Sequence, residues 1–84
     1  MPLFMDVHEK LPEGTTVADV AGAHEADLKA QGIHDVKYLR YWVGEEAGKV
    51  FCLVEAPSSE AAHAVHREAH GLVADKIYEV VEGE

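Results

Sequence analysis

Three histidines stand close together in the stretch "AAHAVHREAH", residues 61–70. On an α-helix, about 100° per residue places His63, His66 and His70 within an arc of about 60°. Histidines four residues apart can chelate a divalent ion, and His66 and His70 have that spacing. One ion cannot meet three imidazoles spread over two turns, so the stretch supplies at most two ligands. The alternative is a solvated polar face, on which we expect His63 to lie.

A second group of metal-capable residues comes from two distant segments. Asp6 and His8 belong to "LFMDVH", which alternates with the period of a strand, and Cys52 belongs to "KVFCLVEA". If these strands are neighbours, the three side chains share a face. Carboxylate, imidazole and thiolate together suit nickel, zinc or copper. The alternative is an ordinary interface that contains an Asp–His pair and an inert buried thiol.

Signals for catalysis are weak. The sequence contains no phosphate-binding glycine loop and no convincing Ser–His–Asp order. Cys52 with His8 is the one candidate for a nucleophile and its base. A cysteine in the middle of a strand is poorly placed to meet a substrate, so we lean against an enzyme and keep a thiol-dependent enzyme as a third alternative.

The elements that position these residues follow from apolar periodicity and from breakers. "LPEGTT" offers Thr15 or Thr16 as a helix cap, and "PSSE" offers Ser58 or Ser59. The predicted elements are strands at 3–8, 35–44, 49–56 and 75–81, with helices from 17 to Gly32 and from 59 to Gly71. The order β-α-β-β-α-β predicts an α+β, ferredoxin-like fold, a four-stranded antiparallel sheet with two helices on one face.

Two further histidines fall inside this frame. His24 lies in the apolar stripe of the first helix, where a hydrogen-bonded core histidine is the ordinary interpretation. His34 follows Gly32 and is expected near the C-terminal end of the second helix. A site that joins His34 to His66 or His70 across the two elements is a further alternative.

One face of such a sheet stays uncovered, and apolar groups on an open face mark an interface. We expect a homodimer that packs through this face. A competing function is a non-catalytic interaction or small-molecule-binding module, with an inter-subunit cavity lined by Tyr38, Arg40, Trp42 and Cys52. The side chains expected on the open face are Phe4, Asp6, His8, Tyr38, Arg40, Trp42, Val50, Cys52 and Val54.

The length of the chain and its net charge limit the classes of function that are plausible. Eighty-four residues predict a single domain, 1–84, and a formal charge of −9 disfavours nucleic acid and anionic lipid while attracting cations. The N-terminus does not resemble a signal peptide, and no stretch approaches the roughly 20 apolar residues of a membrane span. The one cysteine makes no intramolecular disulfide. We therefore expect a cytoplasmic protein without a membrane partner.

Several motifs resemble a known family of small proteins. "KVFCLVEAPSSEAA", followed by "VHREAHG" and "ADKIYEV", is similar to the family called domain of unknown function 4242. The opening "FMDVH" and the hairpin "GKVFCL" look closer still to a nickel-binding branch of that family. Many relatives carry a histidine where Arg40 stands, and that branch has Gly-His where this chain has His70-Gly71.

The resemblance implies a ferredoxin-like fold, a homodimer, nickel binding and no catalytic activity. It carries over His8, Cys52 and His66 as metal-capable positions, with Asp6 as the companion in "MDVH". His70 joins this candidate metal site on its helical spacing alone, as the i+4 companion of His66. The resulting hypothesis is a dimeric protein that sequesters or delivers nickel, with zinc or copper next in preference. Binding is expected to weaken below about pH 6, because imidazole must be neutral to ligate.

Overall fold

The computed structural model describes residues 2–83, so only Met1 and Glu84, the ends of the predicted 1–84 domain, lie outside it. The elements follow the predicted order, with one short 3₁₀ helix added after the first helix. They are β1 (Leu3–His8), α1 (Val17–Ala30), the 3₁₀ helix (Gln31–His34), β2 (Lys37–Gly44), β3 (Lys49–Glu55), α2 (Ser59–Ala69) and β4 (Lys76–Val80).

The four strands form one antiparallel sheet in the order β2-β3-β1-β4. The predicted α+β, ferredoxin-like fold is therefore confirmed. The two central strands, β1 and β3, pair so that Asp6 lies directly opposite Cys52. Residues directly opposite each other in a ladder point to the same side of the sheet, so this register brings the carboxylate and the thiol together.

Local sequence sets where both helices begin and where α2 ends. Thr16 accepts a hydrogen bond from the backbone N–H of Asp19, whose carboxylate accepts from the N–H of Thr16, a reciprocal capping box. Ser58 caps α2 with its hydroxyl. After α2, Gly71 takes φ +78°, which lets its N–H donate to the carbonyl of His66 at 2.9 Å.

The helices cover the sheet face that the sequence analysis expected to be open. Phe4, Asp6 and Cys52 are buried, and the Tyr38 hydroxyl reaches the carbonyl of Ala62 in α2. That prediction is wrong, because both faces of β1 and β3 carry apolar groups and the period of two cannot tell them apart. The buried core cluster comprises Phe4, Val36, Tyr38, Val50, Cys52, Val54, Ala56, Ala62 and Val65.

A β-bulge in β2 changes which face of the sheet the following side chains belong to. Tyr38 pairs with a β3 residue on the helix side, but the register shifts before Arg40, and Leu39 is the extra residue. Beyond the bulge Tyr41 packs toward the core, whereas Arg40 and Trp42 belong to the opposite face. The prediction that Arg40 and Trp42 share a face with Cys52 is therefore wrong, whereas Tyr38 does lie on that face. The prediction of a cavity lined by all four residues is also wrong.

The uncovered face is instead the one to which Met5 and Trp42 belong. Trp42 is 47% exposed and Tyr78 is 52% exposed on this face, beside Leu53 of β3. A groove runs across it past Met5, Leu53 and Trp42. Within residues 2–83, neither helix has the length and apolar character that crossing a bilayer requires.

Candidate metal centre

A buried hydrogen-bond network joins Asp6 of β1, Tyr38 of β2 and His66 of α2. His66 Nε2 lies 2.9 Å from Asp6 Oδ2, and the Tyr38 hydroxyl donates to the same oxygen at 3.0 Å. The hydroxyl also lies 2.9 Å from His66 Nε2. All three side chains are at most 3% exposed, so their interactions take place out of contact with bulk water.

The other nitrogen of His66 faces α1. His66 Nδ1 lies 2.8 Å from Asp27 Oδ1, and His70 Nε2 lies 3.1 Å from the same oxygen. The imidazole of His66 is thus held between two buried carboxylates, one on each ring nitrogen. Asp27 had no place in the sequence analysis, although its spacing from Val20 and His24 puts it on the same helical stripe.

His8 and Cys52 complete the surroundings of Asp6. His8 Nε2 lies 3.5 Å from Asp6 Oδ1, too far for a good hydrogen bond. Asp6 Oδ1 is buried and has no hydrogen-bond partner within residues 2–83. An unsatisfied buried carboxylate oxygen is costly. A carboxylate with such an oxygen, within 4.8 Å of an imidazole and a thiol, is typical of a cation-binding site.

Electrostatic attraction strengthens the contact between His66 and Asp6. Burial alone lowers the pKa of His66, but its hydrogen bonds to Asp27 and Asp6 outweigh burial and raise the pKa to about 9. For Asp6, burial raises the pKa, yet the contacts with His66 and His8 dominate and hold it well below its ordinary value. At neutral pH the site therefore contains a protonated His66 that donates to both carboxylates.

The Cys52 thiol, the Tyr38 hydroxyl and the His70 imidazole are neutral in this environment at pH 7. Burial raises the pKa of the Cys52 thiol, and the charge of Asp6 raises it further. The same two causes raise the pKa of Tyr38. Burial lowers the pKa of His70. A reactive cysteine needs a lowered pKa and access to solvent, so these surroundings argue against a thiol-dependent enzyme.

Two sets of donors are close enough to hold an ion. Asp6, His8, Cys52 and His66 each offer one atom within 4.8 Å of the others, and Asp27, His66 and His70 form a second set on the same criterion. The first set is hereafter the inner donor set and the second the outer donor set; they share His66. A carboxylate, two imidazoles and a thiolate are a donor combination that fits nickel, zinc or copper.

The sequence-predicted residues are distributed over both sets. Asp6, His8, Cys52 and His66 come together, whereas His70 belongs to the outer set. His66 is 1% exposed, so the alternative of a solvated polar face is wrong for this residue. His63 is partly buried, and its Nδ1 atom is buried without a partner within residues 2–83, which corrects the expectation that it faces solvent.

The other histidines lie outside both sets. His34 Nε2 contacts the Glu68 carboxylate on α2, so the predicted proximity to α2 is present but the partner is neither His66 nor His70. His24 contacts Tyr41 with the two rings tilted by 41° and their centroids 4.7 Å apart. Arg40, which replaces a histidine of many relatives, is on the opposite face of the sheet from the inner donor set.

Comparison with known proteins gives consistent results. Residues 4–80 match the family described as "Nickel responsive protein SCO4226-like". The chain is similar to SCO4226 from Streptomyces coelicolor A3(2), for which a crystal structure is known. The two sequences are 38% identical and the two structures superpose with a TM-score of 0.89, over 98% of this chain and 99% of that one. A comparison with curated proteins found no match. The wider label, domain of unknown function 4242, stays a prediction.

Proposed function

Because the chain belongs to the nickel responsive SCO4226-like family, we propose that it binds a divalent transition metal, nickel first and zinc or copper next. The observation that carries this proposal is the convergence of the inner donor set from β1, β3 and α2 within 4.8 Å. The unpartnered Oδ1 atom of Asp6 supports it, because a cation would satisfy that atom.

Each residue of the inner donor set has a distinct part in this proposal. Asp6 and the Cys52 thiolate supply two negative charges, which match the charge of a divalent ion. His8 and His66 supply neutral nitrogen donors, which nickel, zinc and copper all accept. Asp27 would then act from behind His66, because a carboxylate on the second ring nitrogen orients a ligating imidazole and raises its basicity.

Calorimetry with nickel and zinc tests the proposal. Cys52→Ser and His66→Gln should each weaken nickel binding by roughly tenfold or more, because each removes a ligand. His34→Ala is the matched control, since it deletes an imidazole outside both donor sets and should leave the affinity unchanged. Thermal unfolding of each variant checks that it is folded. Absence of saturable binding at micromolar nickel would contradict the proposal, and unchanged affinity in both variants would reject the ligands.

The proposed role is sequestration or delivery of the ion, which differ in how fast the ion leaves. Sequestration predicts slow transfer of nickel to a chromogenic chelator, at a rate independent of chelator concentration. Delivery predicts that an acceptor accelerates transfer by contacting the protein. We include a cytoplasmic location in the proposal, where reducing conditions keep the buried Cys52 as a free thiol.

We also propose that the protein is a homodimer that packs through the uncovered sheet face. Trp42 and Tyr78 are about half exposed there, beside Met5, Leu53 and Leu39. Large apolar groups that are contiguous on an open sheet are typical of an interface. This face is opposite the one that the sequence analysis assigned to the dimer. The inner and outer donor sets lie on the helix-covered side, within one subunit and away from the proposed interface.

A further inference from the structure

A cavity of about 180 Å³ lies between α1 and the helix-covered face of the sheet. Its walls are mainly apolar and come from β2, β3, α1 and the loops that follow β1 and α2. Three members of the inner donor set, His8, Cys52 and His66, also line this cavity. The apolar lining includes Leu11, Val20, Ala23, Tyr41, Val50 and Leu72.

The shared lining means that an ion on the inner donor set borders the cavity on one side. The fourth donor, Asp6, is not part of the lining. The other potential donors of the cavity do not join the inner donor set. Asp27 is hydrogen-bonded to His66 and close to His70, and Asp19 accepts a hydrogen bond from the N–H of Thr16. His24 belongs to neither donor set. The apolar walls themselves supply no ligand, so any further donor to the ion on this side must come from another molecule.

Building on the proposed function, we propose that the cavity admits a ring-sized, neutral nitrogen heterocycle of the azole class, which ligates the bound metal ion from the cavity side. The size follows from the volume, because an apolar protein cavity of about 150 Å³ accommodates benzene. The protein thus carries the metal together with a small organic ligand.

Charge excludes the anionic alternatives. The Asp6 carboxylate and a metal-bound Cys52 thiolate already balance a divalent ion. A further anion would bring uncompensated charge into an apolar cavity, which is costly. Two more carboxylates, Asp19 at the start of α1 and Asp27, also line the cavity and would repel it. A neutral azole meets neither obstacle and offers the nitrogen donor that suits nickel.

Absorption spectroscopy of the nickel-loaded protein tests this proposal. Titration with 4-methylimidazole should shift the nickel–thiolate bands in a saturable, one-to-one manner while nickel stays bound after gel filtration. Cyclopentanecarboxylate, an anion of similar size, should produce no saturable shift. Ala23→Leu fills the cavity and should weaken the response to 4-methylimidazole roughly tenfold or more while leaving nickel affinity unchanged. Ala26→Leu, the same change on the same helix outside the lining, should respond like the wild type.

The outcomes separate the two proposals. Nickel binding without a saturable response to 4-methylimidazole overturns the azole proposal alone, as does an equal response to the carboxylate or in Ala23→Leu. Loss of the nickel–thiolate bands on titration overturns it too, because the azole is then extracting the ion. No nickel binding overturns both proposals. If Ala23→Leu fails to fold, Leu72→Trp obstructs the cavity from a half-exposed position and must give the same loss of response.

Discussion

Nickel binding should release about two protons at pH 7.5. His66 is protonated there because its pKa is raised to about 9, and the Cys52 thiol is protonated because burial raises its pKa. Both must lose a proton to become ligands. At pH 7, removal of the proton from His66 alone weakens the free energy of nickel binding by about 3 kcal/mol, because the pKa lies about two units above the pH and each unit corresponds to 1.36 kcal/mol.

The assay is calorimetry of nickel binding in buffers of different ionisation enthalpy, which gives the number of protons released. The affinity should rise about a hundredfold per pH unit between pH 7 and 8.5, because two protons leave for each ion. This differs from the sequence-based expectation of weakening only below about pH 6. That expectation assumed an ordinary imidazole, whereas two buried carboxylates hold the proton on His66 more tightly.

Two variants assign the protons. Cys52→Ser and His66→Gln should each release one proton fewer than the wild type, and His34→Ala should release the same number. Release of fewer than about half a proton at pH 7.5 by the wild type would refute the reasoning, because neither His66 nor Cys52 would then be a ligand.

Three further predictions concern the metal-free protein. Because the folded-state pKa of His66 is raised from 6.5 to about 9, its stabilisation is complete below pH 6.5 and is lost as the pH rises through about 9; urea unfolding should show a decrease of about 3 kcal/mol. If the free energy of unfolding does not decrease over this pH range, His66 is not the residue that carries the proton. Tyr38→Phe removes a hydroxyl that donates to Asp6, so it should lower the free energy of unfolding by about 1–3 kcal/mol at neutral pH, and a loss below 0.5 kcal/mol would contradict the network. Trp42→Glu should convert the proposed dimer to a monomer in light scattering, whereas Leu28→Glu, at an exposed apolar position on α1, should not; a monomeric wild type would reject the dimer.

The arrangement of elements was predictable because each carries its own local signal. Thr16 and Ser58 are strong helix caps, and Gly71 supplies the left-handed backbone that ends α2. The alternation of β1 identified a strand and placed Asp6 and His8 on one side of it. The proximity of Cys52 followed from the neighbouring positions of β1 and β3 in this fold.

Two features lay beyond such local reasoning. The covered face could not be predicted, since the helix-facing side of β1 carries Asp6 and His8, which resemble solvent-facing residues until their partners are known. Asp27 was missed because its burial depends on His66, 39 residues away in sequence. A carboxylate near the end of an amphipathic helix ordinarily faces water, and only the packing of α1 against α2 makes it a partner of an imidazole.

The bulge at Leu39 determines which positively charged side chain lies next to the inner donor set in the metal-free protein. In an unbroken ladder from Tyr38, Arg40 would stand opposite Cys52, next to Asp6. A guanidinium does not give up its proton, so it would be a permanent counter-ion that no metal could displace. The extra residue turns Arg40 to the far side and leaves the balancing of the carboxylates to His66. Under the proposed function, the protein folds around a proton on His66 that a metal ion can replace.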